Sequence, residues 1–236
     1  MQEIRVSLSE RIKRTQTVES FRFCAKEKIN FVPGQFLQLI FDEENRDNKE
    51  LNKYLSFSSL PSKNYLEVTK RISDSNFSQR LKNLKIGDEL LLKAPLGNCV
   101  FNPEYEKIGF LIGGIGITPV ISIIGYIVDE KLNTDAILLY SNRREEDIAF
   151  KGELDHWRSV NYNIKVIYTV TDCPPKDSRC IFGRINKELI SQNAPDFRER
   201  IFFIFGPPKM VNAMNNLCLE LGCPKENIKT ESFIGY

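Results

Sequence analysis

The chain has 236 residues, enough for one large domain or two of about 100 to 130 residues each. Its 33 basic and 31 acidic side chains leave a net charge of +2 and form no basic block, so neither a nucleic-acid nor a membrane partner is expected. With 42% apolar residues it can fill a sizeable core. No apolar run is long enough to span a membrane and residues 1–10 lack a signal-peptide core, so a cytoplasmic protein is expected.

Six cysteines stand at 24, 99, 173, 180, 218 and 223, with no CxxC pair and no iron–sulfur spacing among them. Cys218 reads as helix core and Cys223 as part of the loop that follows, the alternative for this pair being the remnant of a cluster or metal site. The one histidine, His156, lies beside Trp157 in a charged helix and suits the surface. A histidine-based metal centre or Ser-His-Asp triad is therefore not expected. Any redox chemistry requires an organic cofactor.

The first hundred residues read as short strands. Val18, Phe21 and Phe23 mark the first, and residues 35–41 alternate after the Pro33-Gly34 turn. Strands at 54–59, 65–70 and 89–93 follow, each bounded by Pro, Gly, Asn or Asp. A helix over 77–84 interrupts them, with Asp74, Ser75 or Asn76 as its cap. This spacing favours an antiparallel barrel.

The pattern changes near residue 107, after Asn102-Pro103-Glu104-Tyr105. Continuous apolar runs at 108–112, 136–140, 164–170 and 201–205, with a short segment at 228–230, alternate with helical stretches. Runs without alternation suit strands buried on both faces, hence a parallel sheet wrapped by helices.

The strongest local signal is Gly113-Gly114-Ile115-Gly116-Ile117-Thr118-Pro119, between an apolar strand and a helix over 120–128. Glycines there let a phosphate approach the backbone, and the helix start supplies free N–H groups. A tight turn without ligand is the alternative. The spacing is not GxGxxG, so a different nucleotide-binding topology is indicated. A second element, Gly206-Pro207-Pro208-Lys209-Met210, ends a later strand on the same sheet edge, and two such elements favour a dinucleotide.

Together these motifs resemble the ferredoxin–NADP reductase family in its compact bacterial flavodoxin-reductase-like form. Pro33-Gly34-Gln35-Phe36 resembles that family's PGQ-aromatic strand. Lys53-Tyr54-Leu55-Ser56-Phe57-Ser58-Ser59 resembles its flavin-binding Arg-x-Tyr-Ser strand, and Ser75-Asn76-Phe77-Ser78 its pyrophosphate turn. Residues 95–101 resemble the loop that closes the barrel. Residues 113–119 match the NAD(P) pyrophosphate loop, and 206–210 the Cys-Gly-Pro-Pro-x-Met element. Three positions depart: Lys53 replaces arginine, Leu55 replaces the stacking tyrosine, and Phe205 replaces the cysteine. Lysine keeps a charge but loses the two-pronged donor.

The resemblance implies a six-stranded antiparallel barrel holding FAD in residues 1–101, then a five-stranded parallel α/β domain binding NAD(P)H in 102–236. Ser56 would hydrogen-bond flavin N5. Lys53, Tyr54, Leu55, Phe57 and Ser58 would surround the flavin, Ser58 being equally readable as a solvent-facing hydroxyl. Thr69, Lys70 and Arg71 would neutralise its phosphates or line a solvated face, with Asn76, Phe77 and Ser78 at the turn. Gly113, Gly114, Gly116, Thr118, Pro119, Gly206, Pro207, Pro208 and Met210 would hold the nucleotide. Ser141, Arg143 and Arg144 would meet the adenosine ribose, with a 2′-phosphate selecting NADPH over NADH. Alternatively, these arginines pair with Glu145, Glu146 and Asp147. Phe233 and Tyr236 would reach back to the flavin, or form a frayed tail.

The implied activity is hydride transfer from NAD(P)H to FAD, then electrons to a separate ferredoxin, flavodoxin, haem protein or oxygenase component. The alternatives are a free-flavin or ferric reductase acting on small acceptors, and an electron-transfer subunit of a larger complex.

Overall fold

Alternation of apolar and polar side chains builds the first half of the chain. In the computed structural model, which describes residues 2–233, this half is a nearly closed antiparallel barrel of six strands. They are β1 (Gln2–Lys13), β2 (Val18–Ala25), β3 (Phe36–Ile40), β4 (Asn52–Ser56), β5 (Leu66–Arg71) and β6 (Glu89–Leu96). Their order is β4-β3-β6-β1-β2-β5. A bridge from Phe57 to Val68 and a 2.8 Å bond from Ser58 N–H to the Glu67 carbonyl bring the two edges together. Phe21, Phe23, Leu37, Leu39, Phe57, Val68 and Leu92 are fully buried inside, with Phe77 and Leu81 of α1 (Asn76–Asn83). Burial of each such side chain contributes about 1.5–3 kcal/mol.

β1 was not expected from the sequence. Ile4, Val6 and Leu8 do alternate, but the charged residues Glu3, Arg5, Glu10 and Arg11 surround them and blur the pattern. Ser75 is the helix cap, its hydroxyl accepting from Ser78 N–H at 3.3 Å.

The second half is a parallel six-stranded sheet in the order β10-β9-β8-β7-β11-β12. Its strands are β7 (Lys107–Gly113), β8 (Asp135–Asn142), β9 (Ile164–Val170), β10 (Cys180–Phe182), β11 (Ile201–Gly206) and β12 (Ile228–Ser232). The helices are α2 (Ile117–Asp129), α3 (Lys151–Val160), α4 (Lys187–Asn193) and α5 (Pro208–Leu221). Five strands were expected, and the sixth is β10. Three residues give too short a window for any periodicity to show. At the amino ends of the strands the buried Arg200 guanidinium donates to Asp135, to Asp196 and to the Ile108 carbonyl.

The chain divides into two compact units, residues up to 101 with 118–126, and residues 102–117 with those from 127 on. None of the helices among the described residues is long and apolar enough to cross a membrane.

Candidate functional site

In the barrel unit, β4, β5 and the start of α1 carry the flavin-side candidates. Lys70 is 7% exposed on β5, flanked by Lys53 and Arg71. Burial, then the neighbouring charges of Lys53 and Arg71, push the Lys70 ammonium below its usual pKa. Among the described residues no carboxylate pairs with any of the three, and Arg71 Nε is buried without a hydrogen-bond partner. Three cations held together without an acid are disfavoured until an anion joins them. This is the chemistry a dinucleotide diphosphate fits.

Ser56 is almost buried and makes no side-chain hydrogen bond among the described residues, leaving its hydroxyl available. Tyr54 is 63% exposed and lies edge-on to Phe36 at 5.7 Å, while Leu55 packs on the barrel core. Asn76 donates to Glu50, and Ser78 is buried within hydrogen-bond distance of Ser73 and Ser75.

Other candidates on these strands are committed elsewhere. Phe57 is stacked on Phe31 at 4.0 Å and Phe77 lies edge-on to Phe41, so both side chains belong to the core. Thr69 Oγ1 lies 2.6 Å from Ser20 Oγ and 2.7 Å from Ser58 Oγ. Ser58 also donates to Glu67, a buried carboxylate clamped by Arg14 and Arg22. The hydroxyls of Ser58 and Thr69 are thus spent inside a buried polar network.

In the sheet unit, β7 and β11 are paired neighbours, which sets the two glycine elements side by side. Gly206 has φ +154°, and a Cβ there would lie 3.3 Å from Gly113 N. A Cβ on Gly116 would meet the Phe205 carbonyl at 2.4 Å, and one on Gly113 would strike Met210 Sδ at 2.2 Å. Gly114 has φ +51° and opens a single 3₁₀ turn before α2. Close packing of one turn on the other therefore already requires glycine at several of these positions. Pro207 and Pro208 start α5, while Thr118 and Pro119, buried in the first turn of α2, belong with the barrel unit.

Ser141 stands beside Gly113 in the β7–β8 register. Beyond Asn142 the chain runs into a surface turn. Arg144 reaches Glu146 only at 3.8 Å, both being 60% exposed, and such a pair contributes little. Glu145 instead accepts from the backbone N–H groups of Lys176 and Asp177. Arg143 has no ion pair among the described residues.

Three residues were missed. Asn142 is 5% exposed with neither amide atom hydrogen-bonded, and the buried Thr169 hydroxyl is also unpaired. Both lie at the carboxyl ends of β8 and β9. Polar residues closing the apolar runs Ala136-Ile137-Leu138-Leu139-Tyr140 and Ile164-Lys165-Val166-Ile167-Tyr168 were the available signal. Glu231 on β12 has Oε2 buried and unpaired, and burial pushes its carboxyl up to about 7. Phe233 stacks against Phe205 with ring centres 6.4 Å apart, and its N–H donates to the Gly206 carbonyl. Tyr236 lies outside the described residues.

Comparison with known proteins resolves the lineage. The oxidoreductase FAD-binding domain matches residues 4–101 and the oxidoreductase NAD-binding domain matches residues 110–216. The chain thus carries an FAD-binding and an NAD-binding oxidoreductase domain in tandem.

It is 32% identical over 235 residues to the glycine betaine monooxygenase reductase subunit of Pseudomonas aeruginosa, covering 94% of this chain and 62% of that protein. The chain therefore spans less than two thirds of that relative's length. It is 28% identical to NADH-cytochrome b5 reductase 1 of Aspergillus terreus, over 92% of this chain and 77% of that one. A ferredoxin NADP+ reductase from Neisseria gonorrhoeae, solved with bound FAD and NADP, shares the fold at TM-score 0.82 and 20% identity, covering 98% and 99% of the two chains.

Proposed function

We propose that this ferredoxin reductase-like chain is a cytoplasmic reductase that takes a hydride from NADH or NADPH onto bound FAD and delivers electrons to a separate protein. The observation that carries the reading is the acid-free trio Lys53, Lys70 and Arg71 in one unit, combined with the paired glycine turns of the other. One chain thus offers an anion site in the flavin half and a close backbone approach in the nucleotide half. Bound FAD supplies a two-electron acceptor that releases electrons singly.

In this reading Lys53, Lys70 and Arg71 hold the flavin diphosphate, helped by Asn76, Ser78 and the α1 N-terminus. Ser56 donates to the flavin ring edge and fixes its orientation, beside Tyr54 and Leu55. Gly114 and Gly206, with Pro207, shape the pyridine-nucleotide seat of the sheet unit, and Asn142 and Thr169 supply polar groups at its floor. Arg143 is the cation for an adenosine 2′-phosphate. Replacing it with Ala is expected to lower efficiency with NADPH by about 1.5–3 kcal/mol and to spare NADH. An equal effect on both nucleotides contradicts that role.

A protein acceptor is supported by relatives named as an oxygenase reductase subunit and a cytochrome b5 reductase. The test is steady-state turnover with NADH and NADPH against an iron–sulfur oxygenase component, a ferredoxin, a cytochrome b5, free FMN and a ferric chelate. Efficient reduction of one of the proteins is expected. Comparable rates with free FMN or the ferric chelate, and none with any protein, overturn the reading.

A further inference from the structure

Helix α5 ends in a motif that brings two cysteines together. The Cys223 N–H donates to the Cys218 carbonyl at 2.9 Å, and the Gly222 N–H to the Leu219 carbonyl at 2.9 Å, with Gly222 at φ +88°. This bonding pattern is the Schellman helix stop, in which the third residue from the helix end touches the second residue beyond it. That contact is usually made by two aliphatic side chains. Here it falls to Cys218 and Cys223, 0% and 4% exposed, both packed in the same apolar cluster of the sheet unit. The stop motif places the two side chains next to one another, and the Cys223 thiol reaches the Phe197 carbonyl at 3.5 Å.

We infer that Cys218 and Cys223 are a modification site: a thiol pair that a hydroperoxide converts to a reversible intramolecular disulfide. Neither cysteine belongs to the nucleotide elements, and no metal-ligating cluster among the described residues includes either.

The two sulfurs have different roles. Arg198 lies against Gly222, its guanidinium 3.3–3.4 Å from where a Cβ would stand, next to the Cys223 backbone. The interaction with Cys218 favours ionisation of Cys223, opposed by burial and aided by its own backbone and the nearby Arg198 cation, whereas the same interaction and then burial disfavour it for Cys218. Cys223 is therefore the sulfur that attacks. Its thiolate displaces hydroxide from the peroxide O–O bond and becomes a sulfenic acid. The Cys218 thiol then attacks that sulfur and loses its proton as water departs. Two thiols give up two electrons and two protons, and one peroxide becomes two waters. Access requires local opening of the last turn of α5, which exposes the two thiols to the peroxide.

The test uses the full-length protein with its flavin. It is exposed to hydrogen peroxide, quenched, alkylated under denaturing conditions and mapped by mass spectrometry, with and without later reduction by dithiothreitol. The expected product is a peptide linking 218 and 223, lighter by two hydrogens, reversed by the reductant and formed faster than peroxide modifies Cys180. A Cys24→Ser, Cys173→Ser variant, lacking the two exposed thiols, should form the bond at the wild-type rate. Cys218→Ala should instead trap Cys223 as a sulfenic acid that a dimedone probe captures. Full alkylation of both residues after peroxide overturns the site. Dimedone capture at Cys218 in Cys223→Ala, with none at Cys223 in Cys218→Ala, overturns the assignment of the attacking sulfur.

Discussion

Lys70 is a poor place to leave a positive charge: it is nearly buried, and its charged neighbours are Lys53 and Arg71. A structural lysine there would weaken the barrel, so its presence points to an anionic ligand. Lys70→Met is accordingly expected to lower FAD affinity by about 10- to 100-fold while raising the melting temperature of the flavin-free protein. A variant with unchanged FAD affinity would assign Lys70 to the scaffold. Ser56→Ala is expected to slow reduction of the flavin by NAD(P)H about 10-fold, about 1.4 kcal/mol in barrier, with the fold intact. Glu231 carries the pH prediction. Burial raises its carboxyl to about 7 from 4.5, so the folded protein binds more protons than the unfolded chain between those values. Wild-type stability should thus fall relative to Glu231→Gln as pH rises from about 4.5 to 7. A difference independent of pH in urea titrations would contradict the shift. At this scale the sequence was partly legible: Lys70 and Ser56 could be named from motif position. Glu231, Asn142 and Thr169 were hidden, because a polar residue ending a strand looks the same whether its partner is water or nothing.

The two glycine turns show how an element's sequence can answer to packing and to a ligand at once. The sequence pointed to phosphate approach, yet Gly113 and Gly116 also face Met210 and the Phe205 carbonyl across the seam between the turns. Gly116→Ala collides with backbone and is expected to destabilise the protein by about 1–3 kcal/mol. Gly113→Ala clashes with the end of the Met210 side chain and makes an ordinary contact with Pro207, so adding Met210→Ala should restore most of its loss in a double-mutant cycle. Absence of that coupling in denaturant midpoints would remove the seam as the cause. Strands were the more readable elements. Those of the sheet unit showed as apolar runs because both faces are covered, whereas β1 was masked by its charges and β10 by its brevity. The buried network of Glu67 with Arg14, Arg22, Ser20, Ser58 and Thr69 was not legible at all. It joins strands whose pairing the sequence does not state, and it withdraws two hydroxyls that motif position alone had offered to the flavin.

At the scale of the molecule, the change from alternating to continuous apolar pattern near residue 107 separated barrel from parallel sheet correctly. The architecture was therefore readable from periodicity, and the cofactors from short motifs at the strand ends. What periodicity does not record is which side chains are left unpaired inside each unit, and the functional reading rests on those. Binding of FAD by the chain and its reduction by a pyridine nucleotide are tested by the visible spectrum of the purified protein under anaerobic addition of NADH and then NADPH. A yellow protein with about one FAD per chain, no iron, and bleaching of the flavin band by at least one of the two nucleotides is expected. A protein that stays colourless after incubation with FAD, or whose flavin band neither nucleotide diminishes, would contradict it.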